Sequence, residues 1–249
     1  MSIFSRLFGS SSRSSFPAEF SVLQCDVHSH LIPAIDDGSK SVEDSLNMIA
    51  AFAELGYTRL ITTPHVMSDF YRNTPETILN GLETVRAAVK ENNIPMTISA
   101  AAEYYIDFDF EEKIKTGKLL TFGKNYVLVE ISFINPPDNL NDIFFRLITS
   151  GYKPVLAHPE RYNFWHKEFT KYEEIIEKGV LLQLNINSLT GHYSPATRKI
   201  AERMIDNNMI TFLGSDCHHT GHLELMRNVV YEKSLHKLFA SGKLLNATL

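Results

Sequence analysis

The chain has 249 residues, of which 44% are hydrophobic, so it can bury a substantial core in one α/β domain. Its formal net charge of −5, with charges of both signs interspersed, provides no basic field, and nucleic acid is not an expected partner. The two cysteines, Cys25 and Cys217, are too few for a disulfide framework and fit a reducing compartment.

The amino-terminal segment predicts flexibility rather than a fold. Ser5 and Arg6 interrupt the apolar residues of the first octet, which therefore lacks the continuous hydrophobic stretch of a signal peptide. The sequence "GSSSRSS" at 9–15 has the composition of a flexible linker. We expect a flexible segment at 1–19 and one domain at 20–249; a weak amphipathic anchor or docking segment is the alternative for the octet. No stretch reaches the roughly 18 to 20 apolar residues of a membrane span, so we expect a soluble cytoplasmic protein.

Beyond residue 20, strand-like and helix-like stretches alternate. "SVLQCDV" at 21–27 is apolar and β-branched, and the helical spacing at 41–56 opens on a Ser-x-x-Asp capping signal and closes at Gly56. Six further units follow, with strands predicted at 58–63, 96–104, 126–132, 153–158, 181–187 and 209–216, and helical or irregular segments at 75–92, 109–117, 138–151, 167–179, 195–208 and 222–240.

Seven successive βα units with nearly continuous apolar strands predict a parallel sheet that is buried on both faces. A closed or nearly closed barrel resembling a TIM barrel is the most economical α/β architecture for this pattern. A doubly wound open sheet is the alternative.

Residue types that bind metals lie where the predicted strands end. The stretch "DVHSHLIPAIDDG" at 26–38 alone holds two histidines and three aspartates. In a parallel barrel these strand ends share one face, where active sites are built, so we expect the side chains to converge. The residues concerned are His28, His30, His65, Glu103, Glu130, His158, Asp216 and His218.

Local spacing supports the same interpretation. Residues two positions apart on an extended chain point the same way, so His28 with His30 and Asp216 with His218 are pairs that can face one ion. Imidazole and carboxylate ligands suit zinc, manganese or iron better than calcium. The lack of thiolates among them argues against a closed structural zinc site.

The motifs "DVHSH", "TTPH", "AAE", "VEIS", "LAHPER" and "GSDCH", in that order, resemble the polymerase and histidinol phosphatase (PHP) superfamily. Within it, the chain is most similar to the manganese-dependent bacterial protein-tyrosine phosphatases encoded with capsule and exopolysaccharide genes. The combination of "HSHLIPAIDDGSKS" with "AHPERY" is the specific part of the resemblance, which runs from about Asp26 to the end of the chain. It implies a distorted, TIM-like barrel of about seven βα units.

The resemblance also implies three divalent metal ions, with manganese foremost and iron, zinc or magnesium as alternatives. It assigns His28, His30, Glu103 and Asp216 to a first site, Glu103, Glu130 and His158 to a second, and Asp37, His65 and His218 to a third. Glu103 would bridge the first two sites. Three divalent ions would carry a charge of +6 against −4 from these four carboxylates, and a phosphomonoester dianion would neutralise the surplus.

Other polar residues have candidate roles in substrate binding or proton transfer. In the resemblance Arg161 contacts the substrate phosphate; pairing with the adjacent glutamate or a nearby loop acid is the alternative. His218 and Asp36 are candidate proton donors. We expect His219 and His222 not to be ligands, since His219 points away from His218 if the chain stays extended.

The implied function is hydrolysis of phosphotyrosine by a metal-activated hydroxide, without a phosphoenzyme, on the tyrosine-rich tail of a kinase in polysaccharide export. A thiol phosphatase is excluded, because Leu31 and Leu223 stand where a C-x5-R phosphate loop needs arginine. A small-molecule phosphoesterase such as a histidinol phosphatase and a non-catalytic binding module are the alternatives. The sequence leaves the oligomeric state open.

Overall fold

The computed structural model describes residues 13–249, so most of the predicted flexible segment lies outside the described residues. The strands are β1 Cys25–Asp26, β2 Arg59–Thr62, β3 His65–Val66, β4 Thr97–Ala100, β5 Glu103–Tyr105, β6 Tyr126–Glu130, β7 Lys153–Ala157, β8 Leu181–Asn185 and β9 Phe212–Gly214. The helices are α1 Val42–Glu54, α2 Pro75–Glu91, α3 Phe110–Thr116, α4 Leu140–Thr149, α5 Thr170–Glu177, α6 Pro195–Asp206, α7 Thr220–Val229 and α8 Lys233–Ala240.

The strands form two parallel sheets, in the orders β1-β2-β4 and β3-β5-β6-β7-β8-β9. The sheets are continuous through the backbone, because the amides of Ala101 and Glu103 donate to the carbonyls of Thr62 (2.9 Å) and Pro64 (3.1 Å). At the other edge, a parallel bridge joins Ser29 to Cys217. The strands therefore follow one another in chain order, and the predicted TIM-like α/β architecture is confirmed over the open doubly wound sheet.

Several predicted boundaries were wrong. The start of the first predicted strand is a 3₁₀ turn, Phe20–Val22, and the strand begins only at Cys25. The strand predicted at 181–187 ends at Asn185, where a 3₁₀ helix starts. The helix predicted at 222–240 is two helices; the backbone amides of Ser14 and Ala18 donate to the carbonyls of the turn at 230–231 between them.

The core lies between the strands and one face of each helix. All five residues of β6 are buried, and so are four of the five in β7, as expected of strands covered on both sides. Helix α1 buries Met48, Ile49 and Phe52 in the main core cluster. Each such side chain contributes about 1.5–3 kcal/mol when fully buried.

The carboxyl-terminal segment lies beside the amino-terminal ends of the strands. The side-chain amide of Asn246 donates to the carbonyls of Cys25 (2.9 Å) and Leu213 (2.8 Å) and its oxygen accepts from the Leu213 amide (3.0 Å). Asn246 therefore joins β1 to β9 at the end of the barrel away from the predicted site. Between residues 13 and 249, none of the helices is both long enough and apolar enough to span a bilayer.

Candidate metal centre

The nine predicted ligands lie together at the carboxyl-terminal ends of the strands, around a cavity of about 690 Å³. The deepest three, His28, His30 and Glu103, are fully buried. The other six line the cavity wall: Asp37, His65, Glu130, His158, Asp216 and His218. Residues up to 190 positions apart along the chain are thus brought to one face, as was predicted from the parallel arrangement of the strands.

Four side chains converge in the first predicted group. The Nε2 atom of His28 lies 3.1 Å from Glu103 Oε2 and 3.3 Å from Asp216 Oδ1. His30 Nε2 lies 3.6 Å and 3.5 Å from the same two oxygens. Ligands held about 2.0–2.2 Å from one ion are themselves separated by about 3–3.5 Å, so this spacing suits a shared cation.

Glu103 faces the second predicted group with its other oxygen. Its Oε1 atom lies 3.2 Å from His158 Nε2, which is also 3.5 Å from Glu130 Oε1. One carboxylate therefore has an oxygen directed to each of two groups, which is the arrangement of a bridging ligand.

The third predicted group lies nearer the solvent. Asp37 Oδ1 is 3.5 Å from His65 Nε2 and 3.4 Å from His218 Nε2. The loop after β1 folds back over the cavity, as the Ser39 amide donates to the His30 carbonyl (3.0 Å), and this brings Asp37 above the strand ends. His65 also approaches Glu103 Oε2 through Nδ1, at 3.1 Å, so the groups are contiguous.

The buried atoms of this cluster lack ordinary hydrogen-bond partners. His28 Nε2, His30 Nε2 and Glu103 Oε2 are all inaccessible to solvent and make no hydrogen bond. A buried polar atom without a partner costs about 1–3 kcal/mol. A divalent cation would satisfy all three atoms at once, so the donor set fits a metal.

The ionisable groups of the centre shift one another's pKa values. Burial raises the pKa of Glu130 well above its usual range, and the neighbouring Glu103 carboxylate adds to this rise. Burial acts in the same direction on Glu103, but His28 and His65 outweigh it and hold the pKa of Glu103 well below its usual range. Burial and the nearby Arg161 lower the pKa of His158 to about 4, which keeps its imidazole neutral and able to bind a cation.

Two outer residues orient the first histidines. His28 Nδ1 donates to Gln183 Oε1 and His30 Nδ1 donates to Asp36 Oδ2, each at 2.8 Å, so both Nε2 atoms face the centre. Asp36 is buried and is not part of the cavity wall. Gln183 was not among the site residues predicted from the sequence. Polar residues at 183, 185 and 187 of an otherwise apolar predicted strand indicate a polar face on that strand, and Gln183 lies on it.

Two predicted ligands have strained backbones. His158 (φ 34°) and Asp216 (φ 50°) occupy the left-handed region directly after β7 and beyond β9. Non-glycine residues in this region are uncommon and concentrate at functional sites, where the surrounding structure maintains them.

Arg161 lies at the cavity wall beside two aromatic rings. Its Nη1 donates to Asp216 Oδ2 at 2.9 Å, and its guanidinium carbon is 4.7 Å from the ring centre of Phe133 and 4.2 Å from that of Tyr193. The adjacent Glu160 is not its partner, because the Glu160 carboxylate accepts from the Asn185 amide (3.0 Å) and the Ser188 hydroxyl (2.6 Å). Sequence reasoning did not identify either aromatic neighbour.

Two histidines that follow His218, and both cysteines, lie outside the metal-compatible groups of the described residues. His219 and His222 line the cavity, but neither belongs to a metal-compatible group among the described residues. Cys25 and Cys217 are free and buried. Burial raises the pKa of Cys25 to about 12 and that of Cys217 well above its usual range, so neither is a thiolate.

Comparison with known proteins adds a family and a fold. A family model described as capsular polysaccharide synthesis, CpsB/CapC, matches residues 24–233. The tyrosine-protein phosphatase YwqE of Bacillus subtilis is 29% identical over 78% of this chain and 76% of its own length. The tyrosine-protein phosphatase CpsB of Streptococcus agalactiae is 26% identical over 78% of this chain and 82% of its own.

Solved structures agree with these matches. A structure from a study of YwqE from Bacillus subtilis and CpsB from Streptococcus pneumoniae, described as unique metal-dependent tyrosine phosphatases, superimposes with a TM-score of 0.76 at 28% identity. The superposition covers 82% of this chain and 85% of the chain in the solved structure. A histidinol phosphate phosphatase from Lactococcus lactis, with a TM-score of 0.54 at 12% identity over 84% of this chain and 93% of its own, shares the fold alone.

Proposed function

The chain belongs to the CpsB/CapC family, and from this membership we propose that it is a metal-dependent protein-tyrosine phosphatase, a phosphoric monoester hydrolase. The observation that carries the proposal is the cluster of nine imidazole and carboxylate side chains at ligand spacing on the cavity floor and wall. Relatives at 26–29% identity over 78% of the chain are named tyrosine-protein phosphatases, and this supports the reaction class.

We propose three divalent ions, manganese foremost, held by the three groups of ligands described above. Glu103 is the bridging ligand in this proposal because its two oxygens face different histidines. Bound divalent ions neutralise charge on a phosphoryl group and activate water for attack on phosphorus.

The chain's own residues orient the substrate. Arg161 is placed to donate paired hydrogen bonds to phosphate oxygens, which is the geometry in which guanidinium binds phosphate best. Phe133 and Tyr193 both contact the guanidinium, with ring centres 4.7 Å and 4.2 Å from its carbon, and so restrict its position before a substrate binds. Arg161 is therefore preorganised for an incoming phosphate.

Departure of the leaving group requires little help from a general acid of the protein. Both ring nitrogens of His218 are engaged, Nε2 near Asp37 (3.4 Å) and Nδ1 with the Asp216 carbonyl (3.0 Å), so we assign it as a ligand. Asp36 is buried behind His30. A tyrosine leaves as a phenolate whose conjugate acid has a pKa of about 10, so expulsion depends less on a general acid than it would for an alkyl alcohol.

We further propose the physiological context. The substrate would be the tyrosine-rich tail of a kinase in capsule or exopolysaccharide synthesis, and residues 20–249 would be the catalytic domain. A cytoplasmic location suits two free, buried cysteines, because such thiols persist in a reducing compartment.

A side-by-side assay tests the function. Metal-loaded protein is given a phosphotyrosine peptide, the same peptide with phosphoserine, and histidinol phosphate, and kcat/KM is measured for each. We expect the phosphotyrosine peptide to be preferred by at least about tenfold. The matched His158→Ala variant, which loses a proposed ligand, should lose about a hundredfold or more in kcat/KM and so controls for a contaminating phosphatase. Preference for histidinol phosphate would replace the proposal with a small-molecule phosphoesterase, and no turnover of any substrate would indicate a binding module.

A further inference from the structure

An apolar pair stands exposed on the cavity wall between β6 and α4. Phe133 and Ile134 have exposures of 42% and 86%, and both line the cavity. Exposed large apolar side chains are common on protein surfaces when they are scattered singly. Two adjacent exposed apolar side chains at the mouth of a cavity instead offer apolar surface to a bound molecule.

The loop that carries this pair is held in place. The Ile131 amide donates to the Tyr162 hydroxyl (3.2 Å), and the Ile134 amide donates to the Ser132 hydroxyl (3.1 Å). Pro136 and Pro137 then restrict the backbone before α4 begins. A restrained apolar surface loses little conformational entropy when a ligand covers it, so contacts with it contribute more of their energy to binding.

The pair is continuous with the groups that would hold the phosphate. The ring of Phe133 stacks on that of His158, with centroids 5.6 Å apart and planes at 19°. It also lies against the Arg161 guanidinium at 4.7 Å. A phosphate that reaches Arg161 therefore has its ester substituent next to Phe133, with Ile134 further out.

We infer that Phe133 and Ile134 are specificity-determining residues that receive the aryl ring of the substrate tyrosine. The inference rests on the proposed function and names the feature that selects its substrate class. The cavity of about 690 Å³ is within the range of about 300–1,000 Å³ for small-molecule sites and has room for a ring beside the phosphate. Phosphoserine is shorter and has no ring, so its phosphate would reach Arg161 without covering this wall.

The variants for the test are Ile134→Ser, which changes an exposed side chain, and Phe133→Leu, which retains apolar bulk. The control is Phe145→Ser, since Phe145 is 68% exposed on α4 and is not part of the cavity wall. The manganese-loaded proteins are assayed with a phosphotyrosine peptide, and inorganic phosphate serves as a competitive inhibitor that lacks a ring.

We expect kcat/KM for the peptide to fall by about tenfold in Ile134→Ser and Phe133→Leu, mainly through KM, because the lost contact is apolar binding. In Ile134→Ser, which leaves the Phe133 ring beside Arg161 in place, the inhibition constant of phosphate should stay within about twofold, and Phe145→Ser should match the wild type. An equal loss of phosphate affinity in Ile134→Ser, or unchanged peptide kinetics in that variant, would overturn the inference alone. A wild-type protein that fails to hydrolyse the peptide would instead refute the proposed function and the inference with it.

Discussion

Cys217 lies between two residues that face the cavity, yet its sulfur lies in the core, 3.7 Å from the sulfur of Met48. Asp216 and His218 line the cavity, while Cys217, which forms a bridge with Ser29, directs its side chain into the core beside Met48. The chemical role of a single residue therefore depends on the direction of its side chain as well as on its residue type. A thiol that is buried and protonated serves as a small apolar side chain.

Two single-residue variants should therefore differ in phosphatase activity. We expect Cys217→Ser to retain most phosphatase activity and to lose about 1 kcal/mol of stability, because a hydroxyl replaces a thiol in an apolar site. His158→Ala should lose about a hundredfold or more in kcat/KM, because it removes a proposed ligand. Both are measured on a phosphotyrosine peptide with saturating manganese, after circular dichroism has shown that each is folded. An inactive but folded, metal-loaded Cys217→Ser protein, or a phosphocysteine trapped by rapid quench, would contradict the metal-dependent mechanism.

The connection between β1 and α1 is the element that completes the centre. It turns back on His30, so a Cβ atom on Gly38 would overlap both the Cβ and the carbonyl oxygen of His30. The amide of Gly38 donates to Asp36 Oδ1 (3.0 Å), and Asp36 in turn accepts from His30. Only glycine permits this close approach, which places Asp36 behind His30 and Asp37 above the cavity.

We predict that Gly38→Ala displaces this connection and lowers kcat/KM by about tenfold or more, because a misplaced ligand cannot complete the third group. The matched control is Ser41→Ala at the end of the same connection. Ser41 caps α1 by accepting from the Asp44 amide (3.1 Å), so its loss should cost about 1 kcal/mol of stability and leave activity intact. Thermal denaturation and peptide kinetics on both variants distinguish the two effects, and an active Gly38→Ala protein would refute the argument.

The first and last strands of the barrel are also joined by contacts across the whole molecule. Asn246 makes three buried hydrogen bonds to the backbones of β1 and β9, which are remote in sequence. The apolar residues beside it, Leu245 and Leu249, pack on the small core cluster at the same end of the barrel. The carboxyl-terminal segment is thus part of the folded barrel.

Asn246→Ala should lower the free energy of unfolding by about 3 kcal/mol, because it leaves buried backbone groups without partners. Thr248→Ala is the control within the same segment, since its exposed hydroxyl bonds only the Leu245 carbonyl, and a change within about 0.5 kcal/mol is expected. Urea denaturation followed by fluorescence measures both. Equal stability of the two variants would show that Asn246 does not hold the strands together.

Metal binding should also stabilise the whole fold, because the buried carboxylates Glu103, Glu130 and Asp216 lie close together. An excess of manganese about 100-fold above its dissociation constant would add about 2.7 kcal/mol. We therefore expect chelator to abolish activity and to lower Tm by about 5–10 °C, and manganese to restore both. The matched Glu103→Ala variant should bind fewer ions by elemental analysis. Activity in fully metal-stripped protein, or retention of all three ions by that variant, would contradict the proposed centre.

Much of the fold was readable from local pattern. The order of strands and helices follows from apolar periodicity and capping signals, which depend on residues a few positions apart. Parallel strands then place His28, His65 and His158 on one face without further information. The assignment of these residues as ligands came from motif resemblance and stays a prediction, although their spacing in the structure suits it.

The sequence by itself determined which residue types stand at the strand ends and that the strands would bring them together. Only the tertiary structure decided which atoms face one another: the pairing of Gln183 with His28, the two aromatic rings beside Arg161 and the bond from Arg161 to Asp216. The physical reason is that these contacts join residues 28 to 155 positions apart, whose distances depend on strand register, loop path and rotamers together. Local periodicity contains no information about such distances.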